Sequence, residues 1–190
     1  MELFKNVRLK ISKVFLRRKM ATTKRKLYYS NLGQVKKIGI VWDASNTGEF
    51  SCLSRFYQKM HERNIEVTIL GYFPGKNLPD QYTAIRYLTC LRRKELNFLY
   101  QPDSPESNSF ISNRFDIVID INFKKQFPLL YILSLSNAAF KVGLFEPETV
   151  DTPFDLMIEI KNPVDVDNYL IQVIQYLEMI NSGPVKTANK

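Results

Sequence analysis

The chain has 190 residues, enough for one medium domain with an appendage, and its 45% apolar and 13% aromatic content excludes a chain that is disordered throughout. Two cysteines, Cys52 and Cys90, and a single histidine, His61, argue against a disulfide scaffold or a structural metal site, and no apolar run nears the roughly 20 residues of a spanning helix. The net charge of +8 is unevenly placed: residues 1–30 hold ten Lys and Arg against Glu2, whereas the rest holds 17 basic and 18 acidic side chains, so basicity belongs to an N-terminal arm.

The arm has helical periodicity. At 100° per residue Leu3, Phe4, Val7, Ile11, Val14 and Phe15 fall within an arc of about 120°, one apolar stripe. Lys5, Lys13, Arg17 and Lys19 lie outside it, Leu9 and Leu16 sit among the cations, and Arg18 intrudes on the stripe. Cations recur too often for a secretory signal, so the expected location is cytoplasmic. In one reading the stripe docks on the body or on a second copy and the cations are solvated. In another, the helix lies on an anionic membrane at the inner face, where each cation adds on the order of 1 kcal/mol. Either way residues 1–20 are the contact surface. Nucleic acid ranks behind both, since nothing in the arm suggests base readout.

Residues 1–33 thus form a basic helix and connector, the latter running from Thr22 to Gly33 with Tyr28 and Tyr29. An α/β domain over 34–183 and a frayed tail at 184–190 complete the chain. Lys36–Trp42 is a short apolar run suited to a strand buried on both faces. Asn46-Thr47-Gly48-Glu49 has the spacing of a capping box before a helix with Phe50, Leu53, Tyr57 and Met60 on one face. Ile65–Leu70 is a second strand, ended by Gly71. The stretch 82–101 allows short strands at 85–88 and 97–100 around Arg92-Arg93-Lys94. Ser104-Pro105-Glu106 opens a short helix with Pro at its first position. Phe115–Ile121 and Phe140–Leu144 are strands flanking an apolar helix at 128–139. Phe154–Ile160 alternates like an edge strand, and Asp165–Ile180 is an amphipathic helix stopped by Gly183-Pro184. Strands alternating with helices predict a Rossmann-like three-layer sandwich, a mostly parallel sheet of five to six strands preceded by a basic helix.

In such sheets ligands bind outside the carboxyl ends of the strands. That rule selects Asp43, Ser45, Asn46 and Thr47 after the first strand, Tyr72 after the second, Asp120, Asn122, Lys124 and Lys125 after the 115–121 strand, and Glu146 and Glu148 after the next. A small polar loop feeding a helix N-terminus offers N–H groups to a phosphorylated or nucleotide-like ligand, which makes the Asp43–Glu49 loop the leading candidate. The alternative there is that Asn46 or Ser45 caps the helix and nothing binds.

Gly39 stands alone, so no G-x-G-x-x-G turn exists, and Gly71–Asn77 has one residue too few between its glycines for a P-loop. Asp116 and Asp120 share a strand face but lie about 13 Å apart by strand rise, and Asp43 meeting Asp120 is the sole arrangement that suggests Mg²⁺. No histidine serves a nucleophile, so hydrolytic triads are excluded. The expectation is therefore a protein without catalytic residues, metal or cofactor, acting through interactions of its arm.

Lys37–Val41, Lys94–Phe98, Phe115–Asp120 and Leu133–Gly143 resemble a family of small uncharacterised Rossmann-like proteins from Bacteroidota, a resemblance that spans most of the chain and implies the fold without an activity. Phe115–Gly143 is also weakly similar to the N-terminal half of heptosyltransferase-like GT-B glycosyltransferases. The similarity covers about 30 residues, and the second, nucleotide-sugar domain of those enzymes has no room here.

Overall fold

The computed structural model describes residues 2–146, 152–160, 165–181 and 183–184. Glu148 and the tail residues 185–190 lie outside them, as does the side chain of Leu3. In chain order the elements are α1 (Glu2–Thr22), β1 (Tyr28–Tyr29), β2 (Lys37–Asp43), α2 (Phe50–Glu62), β3 (Glu66–Phe73), β4 (Leu88–Arg92), α3 (Pro105–Ser112), β5 (Ile117–Asp120), α4 (Phe127–Leu135), β6 (Phe140–Leu144), β7 (Leu156–Ile158), α5 (Val166–Met179) and β8 (Gly183–Pro184).

Six strands form one sheet in the order β4-β3-β2-β5-β6-β7, every neighbouring pair parallel. Counting only those strands, the order is 3-2-1-4-5-6, that of a doubly wound Rossmann-like sheet with its switch point between β2 and β5. The central strands explain the arrangement. Ile38, Ile40, Val41 and Trp42 are fully buried, as are Ile117, Val118 and Ile119, which is what a parallel strand covered on both faces requires. α2 and α5 pack one face of the sheet, and α3 and α4 the other.

Gly39 lets α3 approach: a Cβ there would stand 2.9 Å from both the Phe110 ring and Val118 Cγ2. Asp116 starts the β5 edge but works on β2, its Oδ2 accepting the N–H groups of Lys36 and Lys37 at 2.7 and 2.9 Å. Ser104 caps α3 as its Pro-first sequence predicts, accepting from the Ser107 N–H at 3.2 Å.

Four sequence expectations change. Gly71 does not end β3, which runs to Phe73 because the missing side chain leaves room for Ala44, Cys90 and Trp42. Asn46 is not a capping-box residue: its amide donates to Glu49 Oε1 at 2.7 Å instead of accepting a backbone N–H, and a short 3-10 turn over Thr47–Glu49 precedes α2. Tyr28-Tyr29 is more than connector, since it pairs antiparallel with Gly183-Pro184 in a separate two-stranded sheet. Of the ambiguous stretch, only Leu88–Arg92 is a strand, and Asn97–Tyr100 is a turn closed by the Tyr100 N–H on Asn97 O.

Candidate functional site

α4 is apolar on all sides, and Pro128, Leu129, Tyr131, Ile132 and Leu133 are all buried. One face covers the sheet, so its outer face needs a second cover, and α1 supplies it. The side of α1 turned inward is the one where Leu9 and Leu16 sit among cations. Leu16 is 4% exposed, Ser12 is fully buried, and Leu9 and Met20 are half-buried. Polar contacts fasten it. Ser12 Oγ accepts from Gln101 Nε2 at 3.0 Å, and Lys19 Nζ donates to the Tyr131 hydroxyl at 2.6 Å. Arg8 donates to Phe98 O, and its guanidinium lies 3.9 Å over the Phe98 ring and 4.4 Å over that of Tyr100. Past the helix, Arg25 forms a two-pronged ion pair with Asp155, fixing the connector to the β6–β7 edge.

This orientation corrects the expectation that the apolar stripe docks on the body. The stripe lies roughly 130° around the helix from Ser12 and Leu16 and faces outward. Phe4 is 75% exposed, and Val7, Ile11, Val14 and Phe15 are all exposed too. Lys10, Arg17 and Arg18 are exposed beside them. Counting apolar residues misjudged the docking face because long basic side chains bury their stems and place only their heads at polar partners.

At the carboxyl edge of the sheet, the predicted residues do come together, but mainly to bind one another. Asp43 Oδ1 accepts the N–H and hydroxyl of Ser45 at 3.1 and 2.6 Å, and Oδ2 accepts from Gln126 Nε2 at 3.1 Å. Asn122 bridges the switch point: its Oδ1 accepts the Asp43 N–H, and its Nδ2 donates to Val41 O at 3.0 Å and to Asp120 Oδ1. Asp43 and Asp120 therefore each face Asn122 or a neighbour rather than each other. No group of three His, Cys, Asp or Glu placed to hold a metal occurs among the described residues. Thr47 is exposed, and Glu49 is drawn into the loop by Trp42 Nε1 at 3.0 Å and by Asn46. Burial raises the Glu49 pKa despite those two donors. Two carboxylates, Asp43 and Glu49, so flank the loop selected for an anion.

Asp120 lines a cavity of about 420 Å³ between α1, α4 and the ends of β5 and β6. Burial lifts its pKa to about 7, opposed by the Asn122 hydrogen bonds and assisted by the charge of Glu146, which pairs with Lys125. Lys124 is exposed. Burial likewise keeps the Cys52 and Cys90 thiols protonated, and His61 is an exposed ring stacked on Tyr57.

The residues that sequence reasoning missed are the anchors of α1, namely Arg8, Ser12, Leu16 and Lys19. Their only signal is the pair Leu9 and Leu16 interrupting the cationic side. Comparison with curated proteins finds no match. A family model described as a family of unknown function, DUF6913, matches residues 8–180, and the chain belongs to that family.

Proposed function

We propose that the protein is a peripheral membrane-associating α/β domain whose outward α1 face rests on an anionic lipid surface. The observation that carries this reading is the exposure of Phe4, Val7, Ile11, Val14 and Phe15 on a helix already anchored by its opposite side. A helix held in place loses little further entropy on binding, so its apolar stripe can enter the headgroup boundary while Lys10, Arg17 and Arg18 meet phosphates. Charge selects the partner. A second copy laid on this face would bring two arms of +9 together, whereas an anionic bilayer offers the opposite sign. No described helix is long and apolar enough to cross a membrane, so the contact is interfacial.

The test is co-sedimentation of the full chain with phosphatidylcholine vesicles, with and without 30% phosphatidylglycerol. We expect pelleting only with the anionic vesicles, weakened by salt and abolished in Phe4→Asp/Phe15→Asp. Equal pelleting of this variant and the wild type, or none at all, contradicts the proposal. Because Ser12 and Leu16 are buried against the body, point variants are the proper probe; deleting residues 1–30 would uncover α4.

A further inference from the structure

A second cavity, of about 350 Å³, lies between α1, the end of β3 and the start of α4. Four cations from separate parts of the fold line it: Lys5 and Lys13 of α1, Arg93 just after β4, and Lys125 ahead of α4. No Asp or Glu is among its lining residues. Lys125 shares its charge with Glu146, but Lys5, Lys13 and Arg93 have no acidic partner among the described residues. Gathering like charges in a concave site costs free energy unless an anion joins them.

A second, independent feature is Tyr72 near the end of β3. It is 6% exposed, lines the cavity, and its hydroxyl makes no hydrogen bond among the described residues. The ring is buried while the hydroxyl itself stays accessible at the cavity, where it is free to donate to a ligand atom. The first turn of the nine-residue α4 borders the same space through Phe127 and Pro128, adding the positive end of a helix dipole. Tyr100 supplies an aromatic wall, with the Arg93 guanidinium 6.0 Å from its ring centroid, and holds a left-handed backbone (φ 59°) that only a determined surrounding maintains.

We infer that this cleft binds an organic phosphate or diphosphate, with Arg93, Lys5 and Lys13 neutralising the phosphate, the Tyr72 hydroxyl donating to it, and the Tyr100 ring taking the organic part. It lies at the same carboxyl edge as the Asp43–Glu49 loop but uses different residues, and it is separate from the α1 stripe, so it stands or falls independently of what that stripe contacts. The phosphate belongs either to a soluble ligand or to a lipid headgroup.

Calorimetric titration of the full chain with inorganic pyrophosphate tests the first source. Co-sedimentation with vesicles holding equal anionic fractions of phosphatidic acid or phosphatidylglycerol tests the second, because only phosphatidic acid presents a phosphomonoester. For a soluble ligand, pyrophosphate binds and Arg93→Gln weakens it at least about tenfold, as loss of a charge-assisted contact should. Tyr72→Phe weakens it a few-fold, and exposed Lys59→Gln on α2 leaves it unchanged. For a lipid headgroup, the same Arg93→Gln and Tyr72→Phe variants erase a preference for phosphatidic acid. No pyrophosphate binding together with no such preference overturns the inference, as does binding that Arg93→Gln and Lys59→Gln weaken equally.

Discussion

Asp120 and Lys141 sit on adjacent strands, β5 and β6, and burial moves both toward their neutral forms. The carboxyl of Asp120 rises to about 7. The Lys141 ammonium, 2% exposed and donating to Ser134 O at 2.9 Å, falls to about 7, pushed first by burial and then by the charge of Arg25. Their effects on stability have opposite signs. Between about pH 4 and 7 the folded chain holds the Asp120 proton that the unfolded chain has lost, so this group lowers stability as pH rises. Between about 7 and 10 the unfolded chain holds the Lys141 proton that the folded chain has lost, so stability climbs. Each effect amounts to about 3–5 kcal/mol across its window. Urea unfolding at pH 5, 7 and 9 should therefore show Asp120→Asn flattening the acid-side slope and Lys141→Met flattening the alkaline-side slope. Wild-type slopes in both variants contradict this account of their burial.

At the scale of the element, α1 is the informative case, and neighbouring residues separate its two faces. Leu16→Ala should destabilise the protein by roughly 2–4 kcal/mol, the loss expected for a buried leucine. Phe15→Ala next to it should change stability by no more than about 0.5 kcal/mol, since it leaves an exposed position. Thermal or urea unfolding of the two variants checks the orientation, and the reverse order would place the stripe against the body.

The sheet strands were readable because a buried parallel strand needs a continuous apolar run, and Lys36–Trp42, Ile65–Leu70 and Phe115–Ile121 each have one. Strand order was not readable, because it depends on pairings between residues as distant as Ile38 and Ile117. The arm's existence as a helix was readable from its period. Its facing was not, because α4 accepts Leu16 and Lys19 while the 97–100 turn accepts Arg8, and no periodicity within α1 registers what those partners offer. At the carboxyl edge, the rule found Asp43, Asp120 and Asn122, yet their mutual bonding appears only once β2 and β5 lie side by side. Arg93 escaped notice since it follows β4, a strand that short apolar stretches left ambiguous.

For the molecule as a whole, charge and shape point the same way. The body is nearly neutral; α1 completes its cover over α4 through Leu16, while the opposite side of the same helix forms a cationic, apolar ridge that folding does not use. Association should accordingly depend on ionic strength: raising salt from 50 to 300 mM ought to reduce anionic-vesicle pelleting several-fold, as the Debye length shortens from about 14 to 6 Å. Salt-independent pelleting would mean that the cations beside the stripe contribute nothing.

The most direct measurement places a polarity-sensitive fluorophore at Val14→Cys, in a chain with Cys52 and Cys90 replaced by Ala, and records its emission as phosphatidylglycerol vesicles are added. A blue shift at Val14, absent when the dye is moved to Lys59→Cys on α2, is the result predicted if the stripe enters the lipid boundary. Unchanged emission from Val14 under conditions where the protein is folded would contradict the account.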